Sequence, residues 1–250
     1  MKTILIAGAM SQIAQCLTEW ILREKKDIGI YLLDHPSKEK ELKKYIDELN
    51  KKSKNPFIKS IILDVTDIKA VESVVDNFGI GELSYFLYCV GVNKLQLSFE
   101  VNETDWDKMM DINVKGFFFL AREVAGVMLK NNGGSIVSIA SAHGHSPNYE
   151  RATYCASKSA LLMTCKVLAL EWAPYNIRVN SVSPSIVACV GSEKVTGHQG
   201  YSKKWLNSIP MHRFVSPSEV ADAAAFLLFG NTKLITGTDI LVDGGWLIKH

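Results

Sequence analysis

Short apolar runs alternate with segments of helical periodicity along nearly all of the 250 residues. Residues 3–7 form a continuous apolar run, as expected of a strand covered on both faces. Ser11 then caps a helix to about residue 26, with Ile13, Leu17, Trp20 and Ile21 on one face. A second strand spans 29–33 and ends at Asp34, and Pro36 and Ser37 open a charged helix to about residue 50. A third strand at 57–63 leads to a helix capped by Thr66 and running to Phe78. A fourth strand covers 83–90, and Thr104 caps a long helix to about residue 129. The Asn-Asn-Gly-Gly run at 131–134 is a stop signal before a fifth strand at 135–139. A helix over 149–172 is closed by Pro174, and a sixth strand follows at 177–182. The last helix covers 218–229 and the last strand 239–242.

Strands alternating with helices of this length predict parallel βαβ units. The fold class is therefore α/β: one domain over 1–250, a doubly wound parallel sheet with helices on both faces. Residues 186–214 have weak periodicity and contain Pro210, so they read as an irregular stretch and the natural substrate lid. Sheets of this kind bind ligands beyond the carboxyl ends of their strands, which is where functional residues are expected.

Composition narrows the function classes. Twenty-eight basic and 26 acidic residues leave a net charge of +2, too balanced to predict nucleic-acid or membrane binding. Cys16, Cys89, Cys155, Cys165 and Cys189 form no Cys-x-x-Cys pair and no metal-ligand spacing with the histidines, so no metal is expected. An odd number of thiols in apolar settings reads as reduced and cytoplasmic. Lys2 and the apolar residues after it imitate a short signal peptide, but the run is at the lower limit of length and reads as a buried first strand.

The first strand–helix junction is a candidate dinucleotide site. Gly8 stands where a pyrophosphate would meet a helix N-terminus, followed by Ser11, Gln12 and Ile13. Gln12 and Ala14 replace two further glycines of the usual fingerprint. Asp34 ends the second strand, twenty residues beyond Ala14, where an acid accepts hydrogen bonds from an adenine-ribose 2′-hydroxyl and repels a 2′-phosphate. Asp64, ending the third strand, is an adenine contact if such a site exists. Tyr154 and Lys158 add a second signal. Four residues apart on a helix, they share one face, and a neighbouring ammonium lowers a phenol's pKa toward that of a usable acid or base.

Together these residues resemble the short-chain dehydrogenase/reductase family over essentially the whole chain. Asn113, in Asp111-Ile112-Asn113-Val114-Lys115-Gly116, looks like the family's helix asparagine. Ser141, after Ile136-Val137-Ser138-Ile139-Ala140, looks like its catalytic serine, and Tyr154 with Lys158 looks like its Tyr-x-x-x-Lys. Ile177-Arg178-Val179-Asn180-Ser181-Val182-Ser183-Pro184 resembles the segment leading to the nicotinamide, and Val242-Asp243-Gly244-Gly245 the C-terminal signature. The resemblance implies a Rossmann fold and a hydride transfer between a nicotinamide and a secondary alcohol or ketone. Tyr154 would exchange the proton, Lys158 would lower its pKa and bond the nicotinamide ribose, and Ser141 would orient the substrate oxygen. Asn113 would hold a water linking Lys158 to solvent. It also implies Val65, Val90, Gly91, Pro184, Val187 and Cys189 as cofactor contacts.

There are departures from the family pattern. Tyr88-Cys89-Val90-Gly91 replaces Asn-Asn-Ala-Gly after strand four, Ser185 replaces a glycine, and Cys189 stands where a threonine often binds the carboxamide. A divergent enoyl-reductase branch also lacks the glycine loop, but it separates Tyr and Lys by six residues rather than three. NAD is expected ahead of NADP because of Asp34. The competing class is a non-catalytic family member acting as a binding or scaffold protein, against which the full Ser-Tyr-Lys-Asn set argues. His143, His145, Tyr149, Asn93 and His198 are expected to line a pocket for a polar, hydroxylated small molecule. The family's habit implies a homodimer or homotetramer through the helices at 104–129 and 149–172.

Overall fold

The computed structural model describes residues 1–25, 27–53, 57–77, 82–189, 199–231 and 233–249. Seven parallel strands form one sheet in the order β3-β2-β1-β4-β5-β6-β7. They are β1 (Thr3–Ala7), β2 (Gly29–Asp34), β3 (Ile58–Ile62), β4 (Tyr85–Tyr88), β5 (Gly134–Ile139), β6 (Ile177–Pro184) and β7 (Asp239–Val242). The continuous apolar run of β1 is explained by its two covered faces. Leu5 and Ala7 join the core cluster on one side and Ile4 and Ile6 the cluster on the other, all at zero exposure.

On the first side lie α3 (Ile68–Glu72), α4 (Val74–Asn77), α6 (Gly116–Lys130) and α7 (Ala152–Trp172). On the second lie α1 (Gln12–Glu24), α2 (Glu39–Lys52) and α9 (Pro217–Phe229). The strand order reverses between β1 and β4, which opens a crevice at their carboxyl ends. The expected doubly wound parallel sheet is the one observed.

Several helix ends differ from the sequence reading, each for a local reason. Thr66 does not cap α3: its N–H and hydroxyl both donate to Asp64, at 2.9 and 2.8 Å, and Asp67 takes the cap by accepting from Ala70 N. Thr104 likewise yields to Asn102, which accepts from Asp105 N at the start of α5 (Glu103–Met110). The long helix expected over 104–129 is broken by a π-helical turn, Asp111–Lys115, before α6. Glu150 has φ of 60°, a left-handed conformation that stops α7 from starting at residue 149. Part of the expected irregular stretch is helical, α8 (Gln199–Ser208), from which Trp205 packs with Ile209 against Ala142 and Trp246. Residues 190–198 of that stretch, and the end of the helix expected to reach Phe78, lie outside the described residues. Among the described residues no helix is long and apolar enough to cross a membrane.

Candidate active site

The crevice begins at Gly8, whose φ is +78°. A Cβ there would lie 2.7 Å from Cys89 O and 2.9 Å from Val90 N, so only glycine lets the ends of β1 and β4 meet. Ser11 caps α1 by accepting from Ala14 N and donates its own hydroxyl hydrogen to Cys89 Sγ at 3.0 Å. The Cys89 thiol is pushed up to about 11 by burial, so it is a packing group rather than a nucleophile. Gln12 opens α1 and Ile13 is buried beneath it.

Beside this junction is a cavity of about 680 Å³ bounded by Asp34, Asp64, Val65 and Val90, with Asp107 and Ile112 on its far wall. Four residues assigned to a cofactor on sequence grounds thus share one cavity. The Asp34 carboxylate accepts from Met10 N at 2.7 Å and His35 N at 2.8 Å, which fixes it at the rim. Burial pushes the Asp64 carboxyl up, but the two hydrogen bonds from Thr66 and the His35 ring outweigh it and leave it below the usual carboxylate range. His35 Nδ1 accepts from Ser37 N, which leaves the ring proton on Nε2, 3.4 Å from Asp64. Pro184 closes β6, and Val187 beyond it pairs with Val215. Cys189, half-buried with its thiol raised by burial, follows.

Asn113 sits in the π turn at zero exposure. Its oxygen accepts from Val92 N at 2.8 Å, and its amide donates to Val92 O and to Ser157 Oγ, both at 3.0 Å. Both amide hydrogens are therefore committed, and the side chain clamps the loop after β4 to α7. Lys158 is 4% exposed and its Nζ donates to Ile139 O at 2.9 Å, 5.9 Å from the Tyr154 ring centre. A Cβ on Gly91 would lie 3.4 Å from that Nζ and 3.5 Å from Asn113 Oδ1.

The structure brings Ser141 to Tyr154. Burial raises the Tyr154 phenol above its ordinary value, and a hydrogen bond with Ser141 and the Arg151 charge pull it part of the way back. Ser141 is itself fixed, because its hydroxyl also accepts from His143 N at 3.2 Å.

Of the expected pocket residues, His143 alone packs on Tyr154. Its ring lies 6.2 Å from Tyr154, 5.2 Å from Trp246 and 6.5 Å from Trp205. His145 instead bonds Asp239 at 2.7 Å, at the start of β7. Tyr149 is 82% exposed, Asn93 is on the surface, and His198 lies outside the described residues. Sequence reasoning missed Arg151, Trp205 and Trp246. The run 149–154 placed Arg151 three residues before Tyr154, but nothing in the sequence marked it as buried.

A family model described as enoyl-(acyl carrier protein) reductase matches residues 8–247. The chain belongs to the short-chain dehydrogenase/reductase family. It is an NAD(P)-dependent oxidoreductase acting on CH–OH groups, and its relatives differ in substrate. A NAD-dependent glycerol dehydrogenase of Listeria innocua is 34% identical over 252 residues, covering 99% of this chain and 94% of that protein. A 2-dehydro-3-deoxy-D-gluconate 5-dehydrogenase of Dickeya dadantii is 33% identical over 195 residues, 76% of each chain. Among solved structures, ElxO with NADP bound superposes with a TM-score of 0.88 at 26% identity, covering 99% of both chains.

The buried amine provides a test. Burial pushes Lys158 down to about 8 from 10.5. Between these values the unfolded chain keeps a proton that the folded chain has released, so this group makes stability rise with pH in that window. Replacing Lys158 by Met should stabilise most at neutral pH, and the advantage over the parent should shrink by about 2 kcal/mol between pH 7 and pH 9.5. Urea unfolding at several pH values measures it, and parallel curves for the two proteins would contradict a depressed, buried amine.

Proposed function

We propose that this short-chain dehydrogenase/reductase interconverts a secondary alcohol and a ketone on a polyhydroxylated small molecule, with NAD as its preferred cofactor. The observation that carries the reading is Ser141 hydrogen-bonded to Tyr154, with Lys158 one helical turn behind and anchored to Ile139 O. The residues present fit a dinucleotide: Gly8 allows close backbone approach at the N-terminus of α1, and the cavity at Asp34 and Asp64 is the size of a nucleoside pocket. A bound nicotinamide supplies or accepts the hydride at its C4.

The chain's own residues handle the proton and the orientation. Ser141 holds the substrate oxygen beside the Tyr154 hydroxyl. Tyr154 donates its proton as a ketone becomes an alkoxide, and takes it up in the reverse direction. Lys158, with ammonium hydrogens left after its bond to Ile139 O, bonds a ribose hydroxyl and passes protons onward in this reading. Asn113, by fixing Val92 and Ser157, keeps these groups in register. The Listeria relative's use of glycerol and NAD, and the Dickeya relative's use of a sugar acid, support a hydroxylated substrate.

An apolar stripe on α7 supports a homodimer or homotetramer: Met163, Val167 and Leu170 are 60, 45 and 78% exposed at helical spacing. Leu170→Glu should give a smaller particle in sedimentation, and an unchanged mass would remove α7 from the interface.

Two substitutions test the site. Tyr154→Phe should lower kcat by about 100- to 10,000-fold, the usual share of a general acid–base, while NADH still binds by fluorescence. Retention of parental turnover would show that Tyr154 carries no proton. Asp34→Ala should raise the NADP-to-NAD ratio of kcat/KM by about tenfold or more, because a fixed negative charge beside a 2′-phosphate is removed. A ratio that stays constant would remove the basis for NAD preference.

A further inference from the structure

Arg151 precedes α7, three residues before Tyr154, and is 8% exposed. The other arginines are all partnered. Arg23, Arg122 and Arg213 bond neighbouring glutamates, and the half-buried Arg178 donates to Ile235 O, Ser135 Oγ and Leu227 O. Among the described residues the Arg151 side chain has neither an ion pair nor a hydrogen bond, and it does not cap α7. An arginine this little exposed is normally paired, because a charged side chain drawn from water needs compensating acceptors. Exceptions of this kind call for an explanation, and a ligand is one.

The charge is near enough to the proposed catalytic residues to act on them. It acts on both Tyr154 and His143, lowering the pKa of each. His143 is pushed down to about 4, first by burial and then by Arg151, so it is a neutral ring at working pH. Its Nδ1 is buried with no partner. The first turn of α7 holds no acidic residue and its N-terminus has no side-chain cap, so its dipole adds to the attraction for an anion. A cation without a counter-ion and a neutral imidazole without a partner thus flank the same tyrosine.

We propose that Arg151 binds a carboxylate of the substrate and that His143 bonds one of its further hydroxyls, so that the substrate is a hydroxy acid of the sugar-acid class rather than a neutral polyol. This rests on the dehydrogenase reading above and narrows it. A guanidinium takes a carboxylate through two parallel hydrogen bonds, which fixes the carbon chain relative to Ser141 and Tyr154 as well as adding affinity.

The test uses matched acid and alditol pairs, from glycerate and glycerol to D-gluconate and D-glucitol. Each is read two ways: by quenching of tryptophan fluorescence, since Trp205 and Trp246 lie against His143, and by nicotinamide reduction. The acid of at least one pair should bind and react in preference to its alditol. Read by fluorescence quenching, Arg151→Met should weaken acid binding by about 10- to 100-fold and leave alditol binding within about twofold. Arg151→Lys should restore part of the loss by keeping the charge without the fork. Because Arg151→Met could fail to fold, the acid-over-alditol preference of the unaltered protein stands as a separate measurement.

Equal handling of acids and alditols, equal weakening of both by Arg151→Met, or binding of neither overturns the proposal. Acid binding without turnover of any compound would uphold the anion site and defeat the dehydrogenase reading. Turnover of alditols alone would do the reverse.

Discussion

Asn113 spends every polar atom of its side chain joining elements that are far apart in sequence. Its oxygen and one amide hydrogen read the two polar groups of Val92, just after β4, and its other hydrogen goes to Ser157 on α7. Asn113 itself has zero exposure, so loss of its buried bond to Ser157 leaves an orphan worth about 1–3 kcal/mol. The helix carrying Asn113 widens into a π turn at this point. Ser157 in turn donates to Tyr154 O, so the clamp reaches the backbone of Tyr154 itself. Lys158, next along α7, then has a single place to go: under Gly91 and onto the carbonyl at the end of β5.

That chain of dependence explains which parts could be read from sequence. The strands were legible because a parallel sheet covered on both faces needs unbroken apolar runs, and β1 and β2 supply them at zero to 5% exposure apart from Asp34 at the end of β2. The spacing of Asn113, Ser141, Tyr154 and Lys158 was legible as a family pattern. Helix starts were not, because several Asp, Asn, Ser and Thr residues compete for each cap, and the winner depends on a turn such as the one Asp64 makes with Thr66. The left-handed Glu150 leaves no trace in composition, nor does the meeting of Trp205, Trp246 and His143, which come from three separate stretches.

Tyr88 shows how a departure from the family pattern can be absorbed. It stands where an asparagine was expected, fully buried, and its hydroxyl donates to Ile112 O at 2.6 Å in the π turn. Its ring packs on Phe117 at 5.3 Å. The phenol therefore braces the π turn from the β4 side while filling core volume, two tasks a shorter amide could not combine. A Cβ at Gly116 would come within 3.1 Å of that hydroxyl, so the glycine following the π turn is the counterpart of the larger residue at 88.

Burial also sets the electrical character of the site. It raises Tyr154, lowers Lys158 and lowers His143, in each case favouring the neutral form. Proton transfer in such a place costs little solvent reorganisation, but it leaves Tyr154 poorly suited to giving up its proton unless a positive charge is near. In this structure Arg151 supplies that charge. An anion paired with Arg151 would cancel part of the field at Tyr154 and let its pKa climb, which keeps the proton on the phenol. A substrate carrying a carboxylate would thus make the Tyr154 phenol a weaker acid and its phenolate a stronger base, which favours proton uptake from an alcohol over proton delivery to a ketone. The same residue that selects the ligand's charge would then influence which direction the proton is ready to move.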